Sequence, residues 1–376
     1  LLQKLLADDG VIFISIDDTE CSNLILICNE IFGASNFVAN VSWQRTYSPR
    51  NDSKGIVSEV EHLVVFSKNP GWQPNKLPRT EAMDSRYKNP DNDVAPWKSS
   101  DAFAPGAATH QGMVYAIQHP FTGEMLYPSN GRCWRYQQSS MLEYMQGWCN
   151  YRLENLHDEK ERARVCGIDE SAVRKDVLAI VLEEPLEVSA AKAQKVYNRG
   201  RWPGFYFTKG GYGGIARKTY LENVGGRLPT NLWMYEETGH TDEAKKELIS
   251  LFGGRSPFDT PKPTRLLDFV LKVAGTSETL MLDSFAGSGT TAHAVLNANK
   301  ADNGNRHFIL IEMMDYADSI TAERVKRVIK GYGEGKNAVE GTGGNFSFYD
   351  LGEPLLVGDC LNEAVAPEKI REYIWF

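Results

Sequence analysis

A chain of 376 residues with 42% hydrophobic and 24% charged positions carries enough apolar material for a large core divided between two domains. No apolar run approaches membrane-spanning length and no signal peptide is visible, whereas the six scattered cysteines are of the kind expected of a cytoplasmic protein. The formal net charge of −8 excludes a globally basic nucleic-acid binder, and any such contact has to come from local basic patches. Six scattered cysteines, with no Cys-x-x-Cys pair, read as reduced and mostly buried thiols, and no metal centre is expected.

Residues 1–7, Leu-Leu-Gln-Lys-Leu-Leu-Ala, read as the last turns of an amphipathic helix that Asp9-Gly10 ends. Residues 11–16, Val-Ile-Phe-Ile-Ser-Ile, form a continuous apolar run of strand length, which suits a strand covered on both faces. A parallel sheet does not normally begin with the tail of a helix, so the sequence reads as a fragment whose preceding strand lies upstream of Leu1. Asp17-Asp18-Thr19-Glu20 supplies carboxylates that favour a helix start, and a helix follows to Phe32, with Gly33 as its stop. Asp17 also stands at a strand's carboxyl end, where α/β sheets bind ligands. Residues 37–43 and 62–67 are two further strands. Between them runs a long polar loop carrying Arg45, Tyr47, Arg50 and Lys54, and loops of that length are usually functional or disordered.

From Asn69 the composition shifts. Asn-Pro-Gly-Trp-Gln-Pro has linker character, and the stretch up to Pro257 lacks α/β alternation and is rich in Tyr, Trp, Gly and Arg. Its middle, residues 139–193, reads as helical, charged and solvated. Residues 192–227 differ: Lys192, Lys195, Arg199, Arg201, Lys209, Arg217, Lys218 and Arg227 stand against a single Glu222, interleaved with Trp202, Phe205, Tyr206, Phe207, Tyr212 and Tyr220. Basic charge neutralises phosphates and planar rings stack on bases, so this is the best DNA-binding candidate in the chain. An ordinary aromatic-rich β-domain accounts for the same pattern equally well.

Thr260-Pro261-Lys262-Pro263-Thr264 fixes an extended segment before a helix that leads to a short strand at Leu280, Met281 and Leu282. Then comes Asp283-Ser284-Phe285-Ala286-Gly287-Ser288-Gly289-Thr290-Thr291, a glycine turn opening a helix that Thr290 and Thr291 are placed to cap. Free amides at that helix start form a polar cradle. A nucleoside triphosphate is disfavoured, because the last glycine is not followed by a Lys-Ser or Lys-Thr pair, and Ala292 stands where a dinucleotide turn prefers a third glycine. The next strand, residues 307–311, ends in Glu312, a carboxylate at about the spacing that suits a ribose diol. The ligand expected is therefore a nucleoside-like cofactor without a phosphate chain. A helix over residues 319–329, a glycine turn at 341–344 and an alternating strand at 345–351 complete the chain.

Asp-Ser-Phe-Ala-Gly-Ser-Gly-Thr-Thr resembles the S-adenosylmethionine motif of amino-group DNA methyltransferases in their β arrangement, and the pattern is most similar to the modification subunits of type III restriction systems. The resemblance spans nearly the whole chain. It implies an α/β fold: a Rossmann-like S-adenosylmethionine-dependent methyltransferase core over residues 1–68 and 259–351, an inserted α+β target-recognition domain over 69–258, and a tail over 352–376. It further implies that Lys262, Pro263, Thr264, Asp283, Phe285, Ala286, Gly287, Ser288, Gly289, Thr290, Thr291 and Glu312 hold S-adenosylmethionine. Double-stranded DNA would be met by Trp43, Arg45, Tyr47, Arg50, Lys54, Arg199, Arg201, Lys209, Arg217 and Lys218, with Trp43 and Tyr47 stacking on a flipped base, although a buried core position accounts for Trp43 equally well. The implied activity is methylation of adenine N6 by a homodimer that pairs with a restriction subunit. The family's Asp/Asn/Ser-Pro-Pro-aromatic tetrapeptide is absent, in keeping with a fragment that starts after it, so no catalytic residue is assigned. Cytosine N4 methylation, a defective DNA-binding remnant and, more remotely, a nicotinamide dehydrogenase remain as alternatives.

Overall fold

The computed structural model describes residues 1–48 and 55–375, and it is a mixed α/β chain. The chain condenses into two compact units, one made of Leu1–Leu77 with Leu228–Phe376 and the other of Pro78–Arg227. The stretch from Leu228 to Pro257, aromatic-rich and read from sequence with the insert, thus packs into the first unit.

The first unit holds a four-stranded sheet. Its strands are β1 (Val11–Ile16), β2 (Phe37–Gln44), β3 (Val60–Ser67) and β4 (Leu232–Trp233), in the order β1-β3-β2-β4. Strand β3 is antiparallel to both β1 and β2, while β4 is parallel to β2. β1 stands at the end of the sheet's strand order, and its mostly half-buried residues pack on both faces: Val11 and Phe13 against one cluster, Ile12, Ile14 and Ile16 against another. The covering on both faces is as expected, but the pairing is antiparallel, because a run of β-branched and aromatic residues gives the same pattern in either kind of sheet.

β3 explains why the sheet needs apolar residues at consecutive positions. Leu63 and Val65 point to a cluster with Val41, Trp43, Leu266, Phe269, Val270 and Val273, whereas Val64 and Phe66 point to one with Cys21, Cys28 and Phe32. Helix α1 (Cys21–Phe32), closed by Gly33 at φ 88°, covers the second face, and the helix Thr264–Ala274 covers the first. Each fully buried branched or aromatic side chain contributes about 1.5–3 kcal/mol.

A second, two-stranded parallel sheet joins β5 (Leu280–Asp283) to β6 (His307–Leu310). Packed with it are α2 (Thr241–Phe252), α3 (Thr264–Ala274), α4 (Thr290–Asp302) and α5 (Glu323–Lys330), through Leu248, Leu251, Leu271, Ala292, Val295, Leu296, Val325 and Val328. Immediately before α5, Ala317–Ala322 winds as a π-helix. Residues 345–351 do not form the expected final strand: they carry no ladder, although Phe346 packs against the α4–α5 cluster.

The second unit contains a four-stranded sheet and a three-stranded sheet. Its middle is not one solvated helix. Gln138–Gln146, Glu159–Cys166 and Leu186–Arg199 are separate helices with the strands Tyr151–Glu154 and Ala179–Leu182 between them. Met141, Met145, Trp148, Tyr151 and Ile180 from this stretch are core residues, because charge clusters on the outward faces while the intervening apolar residues turn in. Among the described residues no helix is long and apolar enough to cross a membrane.

Candidate functional site

β5 delivers Asp283 to the turn, and two glycines bend the chain into α4. Gly287 has φ 51° and Gly289 φ 76°, the left-handed region that the sequence reserved for glycine. A Cβ on Gly287 would lie 3.3 Å from the Phe258 ring, and one on Gly289 would lie 3.0 Å from the Thr321 carbonyl oxygen. Both positions are thus closed to larger residues by packing as well as by backbone conformation.

The turn is pinned to the end of β6. Ala286 N donates to Ile311 O at 3.1 Å, and Gly287 N donates to Glu312 Oε2 at 2.8 Å. Glu312 Oε1 accepts from Met314 N at 3.0 Å, so this half-buried carboxylate clasps two backbone segments and keeps further lone pairs for another donor. Asp283 works in the same way on the other side: Oδ1 accepts from Phe285 N at 3.2 Å and Oδ2 from the Thr291 hydroxyl at 2.6 Å. Phe285 itself stands 83% exposed beside the turn, with Met313 also exposed.

One expectation is corrected. Gly289, not a threonine, is the N-cap of α4, and no side chain caps it. The Thr291 hydroxyl is taken by Asp283, and the Thr290 hydroxyl donates to Lys262 O at 3.2 Å, because both side chains are buried and point back into the unit.

Below the turn lies a polar cluster that sequence reading missed. The Arg324 side chain is fully buried. Its Nη1 donates to Ser288 Oγ (3.0 Å) and Thr290 Oγ1 (2.8 Å), and its Nη2 donates to Glu247 Oε2 (2.8 Å) and Thr264 Oγ1 (3.1 Å). The Thr264 hydroxyl also donates to Glu247 Oε2, at 2.6 Å. His293 Nδ1 lies 3.1 Å from Nη2, and burial together with the nearby Arg324 charge pushes this imidazole from its usual 6.5 down to about 3. The available signal was positional: Arg324 shares a helix face with Val328 and Thr321, a lone cation on a buried stripe.

The antiparallel register of β1 and β3 sets Ile16 opposite His62, and that of β2 and β3 sets Ser42 opposite it. Asp18, just past β1, accepts from Ser58 Oγ at 2.9 Å and pairs with His62 Nε2 at 2.8 Å, while His62 Nδ1 meets Asn40 Oδ1 at 3.0 Å. The His62 bond, seconded by Ser58, holds the Asp18 carboxyl below its ordinary range. Nearby, Glu61 pairs with Arg45 (3.2 Å) and with Lys262, whose ammonium lies 5.1 Å from the centre of the Trp43 ring.

That last ring decides between the two readings of Trp43 in favour of the core. Trp43 is 0% exposed, its Nε1 donates to Gly239 O at 3.1 Å, and it belongs to the core under α3, so it has no face to offer a flipped base. Tyr47, by contrast, is exposed, with its ring 5.0 Å from that of His240. Arg50 and Lys54 lie outside the described residues.

In the second unit the basic stretch divides. Arg199, Arg201 and Lys209 are exposed, the last two with φ near 50°, and Arg217 is half-buried on the strand Ile215–Tyr220. Lys218 is the correction. Its side chain is 0% exposed, held between Asp91 and Asp93, and it donates to Trp202 O at 2.7 Å, so it cannot reach a phosphate. Phe205, Tyr206 and Phe207 are likewise core residues, and only Tyr212 of the expected aromatics is well exposed. Alternation along a strand sends neighbouring residues to opposite faces, so a basic run in the sequence does not become a basic surface.

Comparison with known proteins fits this geometry. Residues 1–323 match the DNA methylase family of N6 and N4 type. The chain is 30% identical to the type III restriction-modification enzyme StyLTI Mod subunit of Salmonella typhimurium, across 87% of this chain and 43% of that protein. It is 27% identical to the EcoPI Mod subunit of Escherichia phage P1 (83% and 43%) and 27% identical to the type II methyltransferase M.KpnI of Klebsiella pneumoniae (82% and 63%). It thus spans under half the length of these two Mod subunits. With a glycine turn clasped by an acid at the ends of two parallel strands, and a family match over most of its length, the chain belongs to the N6/N4 DNA methylase family.

Proposed function

We propose that this protein is, or is part of, a site-specific DNA methyltransferase that transfers a methyl group from S-adenosylmethionine to adenine N6, within a restriction-modification system. The observation that carries the reading is the clasp of Gly287 N by Glu312 in a chain of this family. The turn fits the cofactor: positive-φ glycines let the chain bend tightly between β5 and α4, Glu312 keeps lone pairs for ribose hydroxyls, and exposed Phe285 offers an apolar surface. In this reading the core is Rossmann-like and discontinuous, and the inserted recognition domain narrows from 69–258 to about the compact unit Pro78–Arg227.

S-adenosylmethionine would supply a methyl group on a sulfonium, which an amine attacks directly. The chain's own work is to bind and orient. Glu312 accepts from the ribose, and the backbone of Gly287, Ser288 and Gly289, whose first and last amides are held by Glu312 and Ala286 O, shapes the cradle with Asp283, Ala286 and the buried Thr290 and Thr291. Lys262, half-exposed and beside Glu61, provides a cation for the methionine carboxylate, with Pro263 and Thr264 fixing its approach. Tyr47, Arg45, Arg199, Arg201, Lys209 and Arg217 are the residues proposed to meet DNA. A homodimer and a restriction subunit, with action in the cytoplasm, are part of the same proposal.

Calorimetric titration of the whole protein with S-adenosylmethionine tests the cofactor, and nucleoside analysis after incubation with labelled cofactor and duplex DNA tests the product. Labelled N6-methyladenine is expected. N4-methylcytosine would move the assignment to cytosine, which the absent tetrapeptide leaves open. Cofactor-independent DNA binding with no product would point to a recognition module instead.

A further inference from the structure

We propose that Arg324 is a positioning residue that sets the shape of the cofactor cradle by holding its two arms on one guanidinium. The inference rests on the reading of the turn as the S-adenosylmethionine site. The arms come from different parts of the fold: one is the extended Lys262-Pro263 with Thr264, the first residue of α3, and the other is the turn ending in Ser288, Gly289 and Thr290. One nitrogen of Arg324 serves Ser288 and Thr290, and another serves Thr264. The arms are also joined directly, where the Thr290 hydroxyl donates to Lys262 O.

Three features fit positioning and exclude contact with the ligand. The Arg324 side chain is fully buried, so it can act only through the residues it touches. Its charge is answered by Glu247 of α2, whose side chain is 24% exposed, and His293 beside it is a neutral imidazole. Thr321, three residues earlier on the same face, donates its hydroxyl to Gly287 O at 2.6 Å, so the π-helix and α5 grip the turn at two successive points. A planar fork can span both arms at fixed angles. A lysine keeps the charge but not the fork.

The test uses the full chain with Arg324→Lys and Glu247→Gln, each checked for folding by circular dichroism and a thermal melt. S-adenosylmethionine affinity is measured by calorimetry, and kcat with both KM values is measured on duplex DNA. Arg324→Lys is expected to raise Kd and KM for S-adenosylmethionine on the order of 10-fold while KM for DNA stays within about twofold, because one ammonium leaves an arm unheld. Glu247→Gln should move the same two constants by about threefold, since it keeps the shape and removes the charge. Folded variants with unchanged S-adenosylmethionine affinity would overturn the inference. If Arg324→Lys does not fold, the isosteric Glu247→Gln decides alone, and an unchanged affinity there overturns it equally. A wild-type protein that does not bind S-adenosylmethionine defeats the cofactor reading itself, an outcome visible before any variant is made.

Discussion

Two of the buried cations, Lys218 in the second compact unit and Arg324 in the first, make opposite use of the same physics. Lys218 in the second unit sits between two carboxylates, Asp91 and Asp93, with the Trp202 carbonyl as its third acceptor. Asp91 is itself buried and also accepts from Trp97 Nε1 and Trp202 N, and Asp93 accepts from the Tyr220 hydroxyl, so the ion cluster knits together strands and loops far apart in sequence. Arg324 in the first unit faces mostly neutral hydroxyls and a single carboxylate that remains partly wet. A point charge suits the closed cluster, while a planar fork suits a cradle whose arms must be held at set angles. The sequence nominated Lys218 as a phosphate contact and passed over Arg324, and burial reverses both judgements.

The largest test of this contrast is stability. Lys218→Met leaves two carboxylates in a dry site without their cation and should cost about 3–5 kcal/mol, read from the shift in urea midpoint. Arg324→Met should cost less, about 1–3 kcal/mol, because Glu247 can turn to water and the hydroxyls were never charged. Equal losses, or a larger one at Arg324, would break the distinction.

Next in size is the turn's own acid. Glu312→Ala should weaken S-adenosylmethionine binding by about 1.5–3 kcal/mol for each charge-assisted bond lost. Calorimetry that finds unchanged affinity would remove Glu312 from the ribose and leave it only its clasp on Gly287 and Met314.

A pH experiment sharpens the Arg324 side. His293 is held neutral, with its folded-state value near 3 against an ordinary 6.5. The unfolded chain therefore takes up the proton first as pH falls. The contribution of the buried neutral ring is complete above 6.5 and is lost progressively towards 3, at up to about 1.4 kcal/mol per pH unit. His293→Asn should be less stable at neutral pH yet show a flatter loss between pH 6 and 4, measured as urea midpoints across that range. Parallel curves for the two proteins would count against a neutral buried ring.

The smallest effect concerns DNA. Single alanine substitutions at Arg199, Arg201 or Lys209, all exposed, should weaken binding across sequences and lower the salt slope by about one per phosphate contact. A folded Lys218→Arg protein should keep the wild-type slope, and a changed slope there would restore Lys218 as a surface contact.

Local chemistry made the glycine turn legible. Gly287 and Gly289 adopt the positive φ that only glycine takes freely, β5 and β6 lie where the apolar runs put them, and Glu312 stands at the end of the second run. Each of those signals is short in range: a backbone preference, a strand-length apolar stretch, a carboxylate at fixed spacing. The same locality made residues 345–351 misleading, since their alternation fits a strand yet no partner strand lies alongside. It also misled at Thr290 and Thr291, whose hydroxyls suit a cap but find nearer acceptors in Lys262 O and Asp283.

The turn, the strand–helix alternation around it and the resemblance that the family match bears out could all be read along the chain, because each depends on near neighbours. Folding was needed to show which cations are buried, that Trp43 belongs to the core, that α2 lends Glu247 to the floor of the turn, and that one arginine reaches both Thr264 and 288–290. Those facts depend on groups brought together across tens or hundreds of residues. Burial is set by the whole fold, and a charged side chain looks the same in a sequence whether it faces water or two aspartates.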